Sequence, residues 1–576
     1  MKYVCDFETT SGDIWLAKDN GVARVWAYCC CTIEKEPKIT KLGNSMDDFM
    51  SWLLKGQKQA YFHNLAYDGE YIISWLYNNG YKYVEDSRDM KPKEFTALIS
   101  DMGLFYTIDI KLAPKKHVRL YDSLKIIPLS VKEIAKAWKL EISKGEIDYE
   151  MYRKVGYKLT EEEKDYIKRD VKIVAYALHD FLSLGYDKIT IGANALATYK
   201  DMLRKNAFDN LFPQLPINVD NDIRLSYKGG FVYLNPKYRN KRLKGISFDV
   251  NSLYPYEMYD KLLPYGLPIF FRGKYKANPK YPLYIQRLNC RFVLKEGYLP
   301  TIQLKHNPMF KATEYITDSI ECVDMVLTSI DLELFLKHYD VYDIEYLGGY
   351  MFKGCKGLFK DYIEHFMDIK MKSKGGMRQI AKLFLNSLYG KFATNPIRVS
   401  KHLEFKDGIV IKHNDKGVEG KTKYTALASF ITAYARRDTI SSAQLNYDRF
   451  IYADTDSISL VGYDEPTNIN IDSVKLGYWK NEGIFTDSIF LKPKTYLKLK
   501  EDGLHITCCG MPNNIKEGVS FDNFKYGITF DGKLAHYITK GGCILHKTTF
   551  TIKAPRDLDI EKEMWKSHPF FIFGLS

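Results

Sequence analysis

Along the first 185 residues the spacing of apolar positions switches repeatedly between the twofold alternation of strands and the three-to-four-residue spacing of helices. The pattern predicts strands at 2–7, 24–33 and 104–112 and helices near 46–55, 131–138 and 161–184, an α/β unit. Farther on, Gly245 to Val250 reads as an apolar strand that delivers Asp249 and breaks into a turn closed by Pro255. A helix over 377–389 places Arg378, Lys382, Asn386 and Tyr389 on one face and Ile380, Leu383, Phe384 and Leu388 on the other. Gly375-Gly376 breaks it from a preceding arm that carries Lys370, an αα-hairpin. Leu403-Glu404-Phe405 and Ile409-Val410-Ile411 flank the turn Lys406-Asp407-Gly408, and 426–445 is an apolar helix. A further apolar run begins at Phe450-Ile451 and resumes at Ile458, interrupted by Asp454-Thr455-Asp456.

A chain of 576 residues exceeds what one hydrophobic core supports, so several domains are expected, and with no repeat or flexible linker they should pack closely. The net charge of +13, with 44 Tyr and 32 Phe, suits a polyanion whose bases stack. The excess is uneven: 370–391 holds six basic residues and no acid, and 237–244 holds five. Either run alone is ordinarily a solvated face. The ten cysteines form no C-x-x-C pair, which points to buried, reduced thiols. The chain enters an apolar strand at Tyr3-Val4-Cys5 without a basic leader, and no apolar run has bilayer-spanning length, so a reducing, soluble compartment is expected.

The candidate chemistry is carboxylate chemistry. In an extended strand Asp454 and Asp456 share a face while Thr455 points away. Like charges so close call for a cation such as Mg²⁺, though a hairpin tip is the plain alternative. Asp249 adds a third acid, and two-metal nucleotidyl transfer takes carboxylates from neighbouring strands around ions roughly 3.5–4 Å apart. A second set lies near the start: Asp6 and Glu8 at i, i+2, then Asp68, then Tyr166 and Asp170 at i, i+4 of a helix. Acids from three separated segments are what two-metal phosphodiester hydrolysis requires, with Tyr166 able to orient the attacking water. Each acid alone also fits a strand end, a turn or a helix surface.

The motifs Asp6-Phe7-Glu8-Thr9-Thr10, His63-Asn64-x-x-Tyr67-Asp68 and Tyr166-x-x-x-Asp170 resemble those of the DEDD 3′–5′ exonucleases fused to family B DNA polymerases. The resemblance implies that Asp6, Glu8, Asp68 and Asp170 are catalytic, metal-binding acids. It implies that Thr9, His63, Asn64, Tyr67, Ser123, Leu124, Lys144 and Tyr149 hold a single-stranded 3′ end, and it adds Glu146 as an acid position. Asp249-x-x-Ser252-Leu253-Tyr254-Pro255, Lys382-x-x-x-Asn386-Ser387-x-Tyr389-Gly390 and Tyr452-x-Asp454-Thr455-Asp456-Ser457 resemble polymerase motifs A, B and C. Tyr227-Lys228-Gly229-Gly230 and Lys494-Thr495-Tyr496 resemble the Y-x-G-G and K-x-Y elements. Together they resemble the protein-primed DNA polymerases of small tailed phages, from about residue 1 to Lys553.

By that resemblance Asp249 and Asp456 are the principal metal ligands, with the Val250 carbonyl, and Asp454 is the third catalytic acid. Tyr254 is the steric gate against a ribose 2′-OH, Lys370 and Lys382 hold the triphosphate, and Asn386 and Tyr389 contact nucleotide and template. Lys494, Tyr496 and Ser252 hold primer DNA, and Tyr227, Gly229 and Gly230 let the DNA backbone approach closely. The implied fold is α/β and α+β multidomain. It has an RNase H-like exonuclease domain (1–188), then a right hand of palm (189–260 and 426–509), fingers (359–393) and thumb (510–553). Two insertions interrupt the hand: 261–358, which meets a terminal protein, and 394–425, which closes a ring for processivity and strand displacement.

The cofactor implied is Mg²⁺ at both centres, with Mn²⁺ as a substitute. The partners implied are primed and single-stranded DNA, dNTPs and a terminal protein primer, for a monomer in the cytoplasm of an infected bacterial host. Two departures stand out: Tyr496 to Cys508 is compact, suggesting a reduced palm hairpin, and 554–576 extends past the usual end. A DEDD nuclease whose C-terminal part only binds nucleic acid is the competing reading. A non-enzymatic DNA-binding protein would leave acids in apolar strands unexplained.

Overall fold

The computed structural model describes residues 1–10, 21–141, 147–148, 151–153, 156–304 and 312–555. Its N-terminal unit is built on an eight-stranded sheet. At its centre Lys2–Thr9 pairs antiparallel with Val25–Thr32 and parallel with Gln59–Phe62, which in turn runs parallel to Lys116–Asp122. The run Cys29-Cys30-Cys31 is explained by burial on both faces. Cys29 and Cys31 join Val4 under the helix Glu161–Ser183, while Cys30 joins Cys5 and Phe7 on the other side, with Phe49 and Ile72. Since Asp6 and Glu8 share parity with Val4, alternation sends them to the face that the helix Glu161–Ser183 covers. Three cysteines depart from the expected burial: Cys322 and Cys509 are exposed and Cys355 is partly so, because they lie outside or at the ends of the buried strands. All ten are free thiols.

A second, antiparallel five-stranded sheet has the order Val232–Leu234, Phe450–Asp454, Ser457–Val461, Gly245–Val250, Trp479–Phe485. The buried helix Thr425–Leu445 packs on it. Residues 263–355 carry their own four-stranded sheet, joined to the rest by the helix Ser329–His338. The helices Lys360–Lys372 and Gly375–Ser387 form the αα-hairpin. The break falls at Ser373-Lys374, and Gly375 opens the second helix with φ +62°. Leu385 rather than Leu383 completes its buried stripe with Ile380, Phe384 and Leu388.

Pro255 does not close a turn. Helix Leu253–Asp260 has already begun, and a proline in the first turn is tolerated because the missing N–H has no intrahelical acceptor there. The stretch expected to be compact forms a regular hairpin, Thr495–Lys500 with Gly503–Cys508, in a three-stranded sheet with Asp487–Lys492. One side of it, Leu491 and Leu497, shares a core with Phe524 and Ile552 of the C-terminal segment, while Phe490 and Tyr496 pack with Ile451, Tyr452 and Phe485 of the second sheet.

The hairpin of the second insertion is tighter than expected. Lys406 pairs directly with Ile409 across a two-residue turn, Asp407 at φ 51° and Gly408 at φ 84°, the left-handed pair that a right-twisted hairpin favours. Its second strand pairs at Ile409 with Thr539 of the long C-terminal hairpin Thr529–Thr539/Gly542–Thr551. That hairpin pairs in turn with Val22–Ala23 of the N-terminal unit, so one five-stranded sheet joins three distant parts of the chain. Ser74 accepts from the Gly542 N–H (2.8 Å), and the Lys412 amine donates to Glu70 (2.5 Å), pinning both hairpins to the helix Leu65–Asn78. Among the described residues no helix is long and apolar enough to cross a membrane.

Candidate functional site: two carboxylate centres

The N-terminal centre is a cleft of about 660 Å³ lined by Asp6, Glu8, Thr9, His63, Tyr67, Tyr166 and Asp170. The strand Lys2–Thr9 supplies the first acids, and the helix Glu161–Ser183 presents Tyr166 and Asp170 one turn apart. Asp68 sits in the first turn of Leu65–Asn78, where the helix N-terminus favours a negative charge, and the Phe7 N–H donates to its Oδ1 (3.2 Å). Burial and then the neighbouring Asp6 nonetheless push the Asp68 carboxyl well above its ordinary range. Tyr67 touches Thr9 through its hydroxyl, and burial raises that phenol to about 12.

The framework around this cleft holds the remaining expected residues in place. His63 is held between Ser123 Oγ (3.0 Å) and the Leu129 carbonyl (2.6 Å), and Ser123 donates to the Phe62 carbonyl. Asn64 is exposed, turned by φ 86° into the helix that follows, and its N–H donates to Asp122. Asp122 also accepts from the Leu124 N–H, making this buried acid the anchor of the Ser123-Leu124 segment. Sequence reasoning passed over it, and over Arg153, which forms a buried ion pair with Glu163 (2.7 Å) at the capping box that starts the Tyr166 helix. Lys144, Glu146 and Tyr149 lie outside the described residues.

In the second centre the choice between hairpin and acid site dissolves, because it is both. Asp454 ends one strand and pairs with Ser457, which starts the next, so Thr455-Asp456 is a two-residue tip rather than continuous strand. Thr455 has φ 63°, and this reversal, not strand alternation, sets the two carboxylates. The tip is held from three sides. The Thr455 N–H donates to the Phe231 carbonyl (2.7 Å), Thr439 donates to the Thr455 carbonyl (2.8 Å), and the Val250 N–H donates to the Asp456 carbonyl (2.7 Å). Asp249 stands opposite Ser457 on the adjacent strand.

The acids are not equivalent. The Lys494 amine donates to Asp454 Oδ1 (2.6 Å), and the Tyr452 hydroxyl donates to Oδ2 (3.2 Å). Asp249 Oδ1 is buried without a hydrogen-bond partner. Burial, and next the charge of Asp456, push Asp249 up to about 7, and burial also raises Asp456. A buried, unpartnered oxygen between mutually repelling carboxylates fits hard divalent cations bound by oxygen donors.

Around these acids the expected partners gather. Tyr254 stacks on Tyr389 with ring centroids 4.1 Å apart. Lys370 donates to Ser252 Oγ (3.3 Å), and its amine is lowered by burial and by Arg378 and Lys382 nearby. Lys382 and Asn386 are exposed on the same helix face. Tyr227 lies near Tyr389, while Tyr496 packs on Tyr452 (5.2 Å). Gly229 faces open space, whereas a Cβ on Gly230 would lie 2.6 Å from the Thr455 side chain. The lack of a side chain at Gly230 thus makes room for the hairpin tip. Arg436, missed in the sequence because it sits in an apolar helix, donates to the Lys228 and Gly229 carbonyls and pairs with buried Asp331.

A family model described as DNA polymerase type B, organellar and viral, matches residues 52–155 and 146–473. The chain is 45% identical to the DNA polymerase of Bacillus phage phi29, over 96% of this chain and 99% of that one. It is 34% identical to the DNA polymerase of Streptococcus phage Cp-1, over 96% and 98%. The solved structure of phi29 DNA polymerase with primer-template DNA and incoming nucleotide substrates superposes with a TM-score of 0.88 at 44% identity, covering 96% of this chain and all of that one. The same polymerase with single-stranded DNA matches equally, at 0.88.

Proposed function

We infer, for a chain that belongs to the organellar and viral type B DNA polymerases, that its two carboxylate centres divide synthesis from editing. The protein is a DNA-directed DNA polymerase of the phi29 type with 3′–5′ exonuclease activity. Asp249 and Asp456 are the principal metal ligands for synthesis, and Asp454 is a third acid held back by Lys494. The observation that carries this assignment is the contrast between the unpartnered Asp249 oxygen and the twice-hydrogen-bonded Asp454. The divalent metal is Mg²⁺, an assignment supported by the all-oxygen donor sets. When bound it lowers the pKa of the attacking oxygen and neutralises charge on the leaving group.

The protein's own groups do the positioning. Lys370, Lys382 and Arg378 present positive charge to a triphosphate, and the Tyr254–Tyr389 stack gives the sugar a rigid wall. In the editing centre Asp6, Glu8, Asp68 and Asp170 hold metal, and Tyr166 orients water. Thr9, Tyr67 and the His63–Ser123 framework receive the single-stranded end. The partners are primed and single-stranded DNA and dNTPs, which support from the relatives' complexes makes the natural choice. The sheet that joins the second insertion, the C-terminal hairpin and the N-terminal unit supports processive, strand-displacing synthesis, since an encircled template cannot leave sideways. Initiation from a terminal protein docking on 261–358, and work as a monomer in the cytoplasm of an infected bacterium, complete the proposal, and the phage origin of the relatives supports its viral setting.

Primer extension with Mg²⁺ and dNTPs on a primed circular template tests the division. Long strand-displacing products are expected, and 3′ degradation when dNTPs are withheld. Asp456→Ala should abolish extension and spare degradation, and Asp6→Ala the reverse. If Asp456→Ala kept synthesis while Asp6→Ala abolished it, the assignment would be wrong.

A further inference from the structure

Outside both carboxylate centres the fold brings together Glu85, His402 and Asp415, one ligand atom of each lying within 4.8 Å of the others. Glu85 follows the strand Lys82–Tyr83 of the N-terminal unit, whereas His402 and Asp415 stand at the base of the second-insertion hairpin. Each is carried by fixed backbone. The Val84 N–H donates to the Phe95 carbonyl (2.9 Å), His402 is in register with His413, and the Asp415 N–H donates to the Ser400 carbonyl (2.8 Å). Ser400 also donates through Oγ to Asp415 Oδ2 (2.9 Å), leaving Oδ1 on His402 Nδ1. A Ser100–Ser400 bridge joins the hairpin base to the N-terminal unit at the same place.

We propose that Glu85, His402 and Asp415 bind a divalent cation of the zinc class, which ties the second-insertion hairpin to the N-terminal unit. Asp415 meets the imidazole directly and Glu85 stands within reach of both, and among the described residues neither acid has a lysine or arginine ion-pair partner. One imidazole nitrogen and two carboxylate oxygens, completed by water, make a tetrahedral zinc donor set, with metal–ligand distances of about 2.0–2.2 Å. The imidazole sets this site apart from the all-oxygen centres, because Mg²⁺ prefers oxygen. The Ser400 hydroxyl fixes the Asp415 carboxylate as an outer hydrogen-bond partner does in known metal sites. His413, stacked on His402 at 5.2 Å, limits rotation of the ligand ring.

The test titrates full-length protein with Zn²⁺ and with Co²⁺ in excess Mg²⁺, which fills the all-oxygen centres. Wild type should bind an equivalent of Co²⁺ with visible absorption bands that His402→Gln loses, and Glu85→Gln, on a separate element, should bind at least about tenfold more weakly. Zn²⁺ should slow hydrogen exchange across 401–414 in wild type and not in His402→Gln. Primer extension on an open template checks that both variants are folded. Equal stoichiometry and affinity in wild type and His402→Gln, or exchange that Zn²⁺ leaves unchanged in wild type, would overturn the proposal.

Discussion

Lys498→Met is the perturbation whose size follows most directly from the structure. Lys498 is buried beneath the second carboxylate centre, donating to Ser247 Oγ and Ser459 Oγ (3.0 Å each), amid the rings of Phe485, Phe490 and Tyr496. It ties the strands Gly245–Val250 and Ser457–Val461 to Thr495–Lys500. Burial pushes its amine from 10.5 down to about 7. Between those values the unfolded chain carries a proton that the folded chain does not, so stability rises with pH at about 1.4 kcal/mol per unit. The increase is on the order of 3 kcal/mol from pH 7 to 9 and levels off above the unfolded pKa. Below pH 7 the amine is charged in both states and the whole penalty is present. Methionine keeps the volume and removes the proton, and the two serines, 3.4 Å apart, can bond each other.

The stability difference between Lys498→Met and wild type should therefore shift toward wild type as pH rises through this window. Urea denaturation at several pH values between 6.5 and 9 measures it. Hydrogen exchange of the Gly245–Val250 and Ser457–Val461 amides assigns the loss to this sheet rather than to another domain. A difference that stays flat with pH to within about 0.5 kcal/mol would show that Lys498 remains charged in the fold, and the burial argument would fail.

Other perturbations separate the parts of the machine. Arg153→Met leaves Glu163 buried without its cation, and breaking such a pair costs about 3–5 kcal/mol. Degradation of a single-stranded 3′ end should fall with extension on a primed template preserved, as comparative kinetics would show. Gly408→Val forces a β-branched residue into φ 84° at the hairpin turn, a strain of about 1–3 kcal/mol. Synthesis through a duplex should shorten while gap filling continues, a contrast read on nicked and gapped templates. Tyr389→Ala removes the ring stacked on Tyr254, and should raise the KM for dNTPs about tenfold and increase ribonucleotide incorporation in single-turnover assays.

The faces that line the N-terminal cleft were legible because their geometry is local. The spacing of Asp6 and Glu8 on a strand, and of Tyr166 and Asp170 on a helix, sets which face each occupies before any tertiary contact forms. The polar face of Gly375–Ser387 was legible for the same reason. The same rule misread Asp454 and Asp456, since periodicity cannot tell a strand from a hairpin whose tip has φ 63°, and that reversal is stabilised by Thr439 of the preceding helix and by Phe231 and Val250 from far along the chain. Asp122, Arg153, Arg436 and Lys498 stayed invisible because a polar residue in an apolar stretch acquires its role only from the partner folded against it.

What the sequence determined by itself is the inventory of acids, cations and aromatic rings and the local faces that present them, because backbone geometry repeats over a few residues. What only the tertiary structure decided is how the surroundings of the acids differ. Lys494 neutralises Asp454, and burial leaves Asp249 without a partner. Pairing between residues as distant as Val22 and Ile544 joins the N-terminal unit to the C-terminal hairpin. Charge pairing, desolvation and sheet closure depend on distance in space, which no period along the chain encodes.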